Sequence, residues 1–269
     1  MSAETEVNHE KLMELFGNVF NDVAGSMAIM MSYIGDQTGV YKAMDKLGSA
    51  SVKDIAKAAE VNERYLLEWL SSNAGRGYVT YHDDRDEFSL TPEQAAVFAR
   101  ESEPTCIQGL VQGVVGQFVK EDVAVEVFKT GRGRPWGEHH ECCFCGTERF
   151  FRPAYAGHLL DEWIPAMEGV EDKLKAGAKV ADIGCGLGTS SMLMAEQYPN
   201  STIHAYDFHA PSIDEAKKRA KEKGLRNLEF FVSDAGAIPQ ESYDLACIFD
   251  AWHDMGDPVG IARSIKDTL

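Results

Sequence analysis

The order of apolar and polar residues divides this chain into a helical first part and a last part that also contains strands. Between Asn8 and Met31, apolar residues recur every three or four positions, which predicts one amphipathic helix. A second helix is predicted to begin at Gly35, and helical patterns recur over Pro92–Lys129 and Asp161–Val170. From Lys179 onwards, short apolar runs alternate with helical patterns. That alternation is typical of a parallel sheet with helices on its faces.

The stretch Ser51–Thr91 has the layout of helix, turn, helix and hairpin. Ser51 and Asn62 stand where their side chains can cap the first backbone amides of two successive helices. Two runs that favour strands, Tyr78–Tyr81 and Glu87–Leu90, lie on either side of a polar turn. The sequence therefore predicts a winged helix within a mostly helical N-terminal domain.

Charge argues against DNA binding by this winged helix. From Ser51 to Thr91 the chain carries five Lys or Arg residues and eight Asp or Glu residues, and the whole chain has a net charge of −17. Such a surface would repel phosphates, so we expect a structural role for this winged helix and no nucleic-acid partner.

The segment Lys179–Asp207 predicts a strand, a glycine-rich turn, a helix and a second strand. Gly184, Gly186 and Gly188 stand at alternate positions of the turn, where a ligand can approach the backbone closely. Asp207 ends the second strand, where its carboxylate can accept hydrogen bonds from a ribose diol. A dinucleotide fingerprint, G-x-G-x-x-G, would place its third glycine one position later. The spacing therefore favours a nucleoside ligand without a pyrophosphate over NAD or FAD.

Four motifs resemble those of class I methyltransferases that depend on S-adenosylmethionine (SAM). The string Asp182–Gly188 resembles the first motif of that family, and Asp207 resembles its ribose-binding acid. Val232–Ala235 is similar to the segment whose Asp contacts the adenine amino group. Asp244–Asp254 is similar to the fourth strand and the loop beneath the methionine part of SAM. The resemblance implies a Rossmann-like α/β fold with SAM as cofactor.

The resemblance also implies a set of site residues. The residues expected to bind the cofactor are Asp182, Gly184, Cys185, Gly186, Gly188, Asp207, Phe208, Ser233, Asp234, Ala235, Phe249 and Asp250. Methyl transfer is an in-line displacement, so alignment dominates, and an acceptor that carries a proton also needs a base. His253 is the first candidate base, followed by His139 and His140; the alternative for His253 is that it only shapes its loop.

Three interpretations compete for Trp136–Tyr155. Cys142 and Cys145 have the C-x-x-C spacing of a zinc site, but no second pair follows at the usual distance, so we expect no metal. The segment could also be a loop without a site. Its aromatic side chains and paired charges instead favour a substrate pocket. The string Gly146–Pro153 is similar to an interdomain piece of two-domain methyltransferases. The expected substrate residues are Trp136, Glu148, Arg149, Phe151 and Arg152.

The predicted organisation is a winged-helix N-terminal domain over residues 1–92, a helical segment over 93–170 that covers the substrate, and a SAM-binding domain over 171–269. Only about four strands are predicted for the last domain, fewer than a class I methyltransferase sheet has. The fourth strand would then be an apolar edge. We therefore expect a truncated chain, whose activity in isolation is in doubt.

The predicted function is SAM-dependent methyl transfer to a small molecule, with oxygen, nitrogen, sulfur and carbon acceptors all open. Two alternatives are a winged-helix transcription regulator that binds SAM as an effector, and an NAD-dependent oxidoreductase. The apolar stripe of the first helix predicts either packing within its own domain or a homodimer. No run is apolar enough to cross a membrane, and six cysteines without a secretory signal favour the cytoplasm.

Overall fold

The structure, a computed structural model, describes residues 7–239 and 242–269. The chain divides into two compact units, Met1–Phe118 and Val119–Leu269. Each unit has a hydrophobic core of its own. None of the described helices is long and apolar enough to cross a bilayer.

The first unit is a set of helices with one hairpin. Its elements are α1 (His9–Gln37), α2 (Val40–Leu47), α3 (Val52–Ala59), α4 (Glu63–Gly75), β1 (Thr80–His82), β2 (Glu87–Ser89), α5 (Pro92–Phe98) and α6 (Gln108–Val119). The side chains of Ser51 and Asn62 accept hydrogen bonds from backbone amides in the first turns of α3 and α4, as predicted. β1 and β2 pair antiparallel, so helix, helix and hairpin form the expected winged helix.

The first helix is longer than the sequence pattern predicts. α1 continues past Met31 to Gln37, and the predicted restart at Gly35 is wrong because Gly35 lies inside the helix. A Cβ atom at Gly35 would overlap the rings of Trp69 and Tyr41. This glycine therefore permits close packing of α1 on the core and does not mark a helix end.

The second unit carries the parallel sheet. Its elements are α7 (Glu121–Thr130), α8 (Glu141–Ala154) with a π-helical continuation (Tyr155–Trp163), α9 (Val170–Ala176), β3 (Lys179–Ile183), α10 (Thr189–Gln197), β4 (Thr202–Asp207), α11 (Ala210–Glu222), β5 (Leu228–Val232), β6 (Leu245–Cys247) and α12 (Pro258–Lys266). Short 3-10 turns occupy Trp136–Glu138, Ala235–Ala237 and Trp252–Asp254.

The four strands pair in the order β5-β4-β3-β6, and every pairing is parallel. Sequential strands spread to one side of β3, whereas β6 lies on its other side, so the strand order reverses next to β3. In sheets of this kind the crevice beyond the carboxyl ends of the strands, at the reversal, is where ligands bind. The α/β prediction is confirmed, and within the motif Asp244–Asp254 the strand β6 covers only the three residues Leu245–Cys247.

Candidate functional site

A cavity of about 350 Å³ opens at the carboxyl ends of the strands, within the second unit. Its floor is formed by the loops that follow β3, β4, β5 and β6, and one wall is formed by α8 and the turn before it. The size is in the range of small-molecule sites. Most residues predicted to bind a cofactor line it: Gly184, Cys185, Gly186, Asp207, Phe208, Ser233, Asp234, Ala235, Phe249 and Asp250.

The glycine-rich loop uses its three glycines for different purposes. All three have left-handed backbone, with φ of 73° at Gly184, 54° at Gly186 and 76° at Gly188. A Cβ atom at Gly188 would lie 2.7 Å from the ring of Phe230, so this glycine serves packing below the cavity, which it does not line. Nothing lies within 4 Å of a Cβ placed on Gly186. Gly186 therefore leaves open space on the cavity side, where a ligand can approach the backbone.

Asp207 connects two loops at the floor of the cavity. Its carboxylate oxygens accept hydrogen bonds from the backbone amides of Gly186, at 2.9 Å, and His209, at 2.8 Å. The side chain is buried. Each oxygen keeps further acceptor capacity, so the same carboxylate can hold the loop in place and still accept hydrogen bonds from a ligand.

Asp182 lies beneath the loop and does not line the cavity. It is completely buried, and its Oδ2 accepts hydrogen bonds from Ser190 at 2.7 Å and Ser191 at 2.5 Å. Burial raises the pKa of Asp182, and the two serine hydroxyls oppose that rise. This acid therefore anchors the start of α10 to β3, while the ligand-facing groups belong to the loop above it.

The chain after β6 reverses direction at Asp250. This residue has a φ of 53°, an uncommon conformation for a residue with a side chain, although Asp tolerates it better than most. The reversal places Asp250, Ala251 and Asp254 in the cavity lining. A Cβ atom at Gly184 would lie 2.6 Å from that of Ala251, so the loops after β3 and β6 are in close contact.

The first candidate base lies at the rim of the cavity and not in its lining. The side chain of His253 is 63% exposed. Its Nδ1 lies 3.8 Å from Oδ1 of Asp250, and its Nε2 lies 3.4 Å from Oδ1 of Asp254. The ring is thus held between two carboxylates that do line the cavity.

The other two candidate bases have different surroundings. His140 caps α8, because its Nδ1 accepts a hydrogen bond from the amide of Cys142 at 3.2 Å. His139 is half-buried, with its ring 5.3 Å from that of Trp136. Burial lowers the pKa of His139, with a second contribution from the charge of Arg134. Neither histidine lines the cavity.

The segment from Trp136 to Tyr155 forms a cavity wall, and most of it is helical. The loop interpretation is wrong for this segment, because Glu141–Ala154 forms α8. Its cavity-lining members recur at helical spacing and are Phe144, Thr147, Glu148, Phe151 and Tyr155, preceded by Trp136. Thr147 was not among the predicted residues, although the three- and four-residue periodicity of this run could have indicated it.

The two predicted arginines of this segment do not line the cavity. Arg152 instead lies with its Nη1 3.5 Å from Glu148. The Glu148 carboxylate also accepts a hydrogen bond from Thr189 at 3.0 Å, and Arg219 approaches it to 3.8 Å. Glu148 therefore links α8 to α10 and α11.

Comparison with known proteins matches each domain to a family. Residues 174–269 match the methyltransferase domain family, and residues 25–100 match the Rv2258c-like winged helix-turn-helix domain. The prediction of a class I methyltransferase fold behind a winged helix is thereby confirmed.

Among curated proteins, the aklanonic acid methyltransferase DauC of Streptomyces sp. (strain C5) is 40% identical over 96 residues, which is 35% of this chain and 44% of that protein. The chain spans less than half the length of the first curated relatives that it matches.

Solved structures share the fold over nearly the whole chain. The mitomycin 7-O-methyltransferase MmcR has a TM-score of 0.67 at 16% identity, covering 96% of this chain and 78% of that one. Human N-acetylserotonin methyltransferase, solved in complex with SAM, has a TM-score of 0.66 at 14% identity, covering 99% of this chain and 78% of that one.

Proposed function

We propose that this chain, a methyltransferase domain preceded by a winged-helix domain, transfers a methyl group from SAM to a small-molecule acceptor. One observation carries the proposal. The open backbone at Gly186, the Asp207 carboxylate and the Ser233–Ala235 turn all line a single cavity at the point where the strand order reverses. That is where an α/β sheet of this order binds a nucleoside ligand.

Each part of the cavity has a role toward the cofactor. The glycine loop at Gly184–Gly186 admits the methionine part, Asp207 accepts from the ribose hydroxyls, and Asp234 faces the adenine. Bound SAM supplies an electrophilic methyl group on a positively charged sulfur. The residues of this chain then supply alignment, which accounts for most of the rate enhancement in a displacement of this kind.

The acceptor lies against the aromatic wall. Trp136, Phe144, Phe151 and Tyr155 present ring surfaces to the cavity, and Phe249 faces Tyr155 with 5.4 Å between ring centroids. Flat rings stack on such walls at little cost in side-chain entropy. A small molecule with an aromatic ring fits this wall better than a nucleic acid would, since the cavity lining is acidic.

His253 takes the proton that the acceptor loses. The two carboxylates beside it, Asp250 and Asp254, hold the imidazole at the rim next to the β6 loop. In this role the imidazole accepts the proton of an acceptor oxygen or nitrogen directly or through one water.

The winged-helix domain serves to pair two copies of the chain. α1 leaves many apolar side chains exposed, among them Leu15, Phe16, Val19, Phe20 and Met27. In the second helix of the winged helix, Arg64 is already ion-paired with Glu68 one turn away. The homodimer acts in the cytoplasm, where the six cysteines of each chain stay reduced.

Titration calorimetry with the purified chain tests the proposal. SAM should bind with about one molecule per chain, and NAD should give no heat of binding. Binding of NAD in preference to SAM, or tight salt-dependent binding of duplex DNA, would contradict it.

A further inference from the structure

The cavity lining has a one-sided charge distribution. Five carboxylates face it: Glu148, Asp207, Asp234, Asp250 and Asp254. Among its described lining residues there is no Lys, Arg or His. A ligand with a negative charge would therefore meet carboxylates without a lining cation to pair with.

Three of these carboxylates are engaged by neighbouring groups. Glu148 lies within 3.5–3.8 Å of the guanidinium groups of Arg152 and Arg219. Asp207 accepts two backbone amide hydrogen bonds, and Asp234 accepts one from Gly236 at 2.8 Å. Their negative charge is thus partly compensated inside the protein.

The remaining pair, Asp250 and Asp254, lies beside the loop after β6. Each lies near the imidazole of His253, at 3.8 Å for Asp250 and 3.4 Å for Asp254. Their side chains are 46% and 61% exposed, so water and salt weaken their field without removing it. This end of the cavity therefore stays negative.

Aromatic rings complete the surroundings of this acidic end. Phe249 directly precedes Asp250, and its ring packs against Tyr155. Aromatic faces are electron-rich and attract cations, whereas they repel a carboxylate laid over them. The negative charge of the carboxylates and the electron-rich ring faces therefore both disfavour a negatively charged acceptor.

We infer that the acceptor is a flat aromatic molecule that carries a hydroxyl or amino group and no negative charge, and that carboxylate-bearing analogues of the same shape are rejected. The inference rests on the proposed function for the identity of the donor. For a phenol, an oxygen lone pair forms the new C–O bond while the C–S bond breaks and its electron pair stays on sulfur. The phenolic proton leaves to His253, and the products are a methyl ether and neutral S-adenosylhomocysteine (SAH).

A matched set of naphthols tests the charge rule, that is, the rejection of acceptors that carry a negative charge. The probes are 6-hydroxy-2-naphthamide, 6-(aminomethyl)-2-naphthol and 6-hydroxy-2-naphthoate, which share one ring system and differ in charge. Their affinities for the full chain, with and without SAH, are measured by calorimetry. The amide and the amine should bind at least tenfold more tightly than the carboxylate at low ionic strength.

Substitution and salt then locate the source of the selectivity. Asp254→Asn should narrow the difference between amide and carboxylate at least threefold, and high salt should narrow it in the native chain. Asp214→Asn removes an exposed carboxylate of α11 outside the lining and should leave the difference unchanged. Equal or tighter binding of the carboxylate, or no binding of any probe, would overturn the inference. Failure of SAM to bind while the charge rule holds would overturn only the proposed function.

Discussion

Asp207 holds Gly186 in place: the carboxylate at the end of β4 accepts the backbone amide of the loop after β3 at 2.9 Å. The acid that we propose to bind the ribose therefore also shapes the loop that admits the methionine part. Removing the Asp207 carboxylate should therefore disturb both the binding of the ribose and the shape of the loop after β3.

Substitution of Asp207 should weaken the uptake of SAM. Asp207→Ala removes the acceptor of two backbone amides, so we expect at least a tenfold loss of affinity by calorimetry and a lower unfolding temperature. Asp207→Asn retains one acceptor oxygen, so its SAM affinity and its unfolding temperature should both fall less than those of Asp207→Ala. Unchanged SAM affinity in Asp207→Ala would contradict the assignment of this carboxylate.

Gly186 and Gly188 should respond differently to alanine. Gly188→Ala combines a left-handed backbone with a methyl group 2.7 Å from Phe230, so it should lower the free energy of unfolding by about 2–4 kcal/mol. Gly186→Ala meets no neighbour and should cost only about 1 kcal/mol of stability.

Because Gly186 lines the cavity, Gly186→Ala should instead lose affinity for SAM. Urea unfolding and calorimetry on the two variants together check the distinction. Equal losses of stability would show that steric overlap at Phe230 does not separate the two positions.

Asp182 should make stability depend on pH. Burial raises the pKa of Asp182 in the folded chain above its value in the unfolded chain. The folded state then favours the protonated acid, so its contribution to stability is full below the unfolded pKa of about 4 and is lost as pH rises through the folded pKa.

Asp182→Asn keeps an oxygen for Ser190 and Ser191 and removes this titration. Relative to the native chain, the variant should therefore gain in free energy of unfolding as pH rises from about 4 to about 8. Urea unfolding at several pH values measures the difference. If the difference in free energy of unfolding between the native chain and Asp182→Asn stays constant with pH, Asp182 does not titrate in this range.

His253 should affect the rate of transfer more than the binding of SAM. With a turnover assay in hand, His253→Gln should lower kcat by about 100-fold, the usual contribution of a general base, and leave SAM affinity unchanged. If His253 only shapes its loop, SAM affinity and kcat should fall together. The control variant for His253→Gln is His139→Gln, which makes the same change at a half-buried ring outside the cavity lining.

The exposed face of α1 should hold two copies together. Phe16→Asp with Phe20→Asp places charges on that face, and light scattering should show conversion from dimer to monomer. Phe128→Asp makes the same kind of change on α7, where the ring is also exposed, and should leave the dimer intact. A native chain that is monomeric at all concentrations would contradict the pairing.

Local patterns were sufficient to predict the elements of the methyltransferase domain. The glycine spacing and the acid at Asp207 identified the turn after β3 and the end of β4, because each depends on neighbours in sequence. Helix ends were less predictable. Gly35 resembles a helix breaker, and only its packing against Trp69 explains why the helix continues.

The cavity wall could be predicted only in part. The aromatic residues of Trp136–Tyr155 indicated a site, but their composition did not reveal a helix that begins at the His140 cap. Sequence also could not show that Glu148 contacts Thr189 and Arg219, since those contacts depend on the approach of α10 and α11 to α8. Ser212 and Ile261 reach the lining from helices whose patterns suggest only packing.

The contact between Gly184 and Ala251 has a dynamic consequence. With no spare volume between these two residues, the segment after β3 cannot become ordered by a ligand without also restraining the segment after β6. Amide hydrogen exchange at Asp250–Gly256 would then slow down on cofactor uptake even where the ligand makes no direct contact, and so provide a readout of occupancy that needs no methyl acceptor.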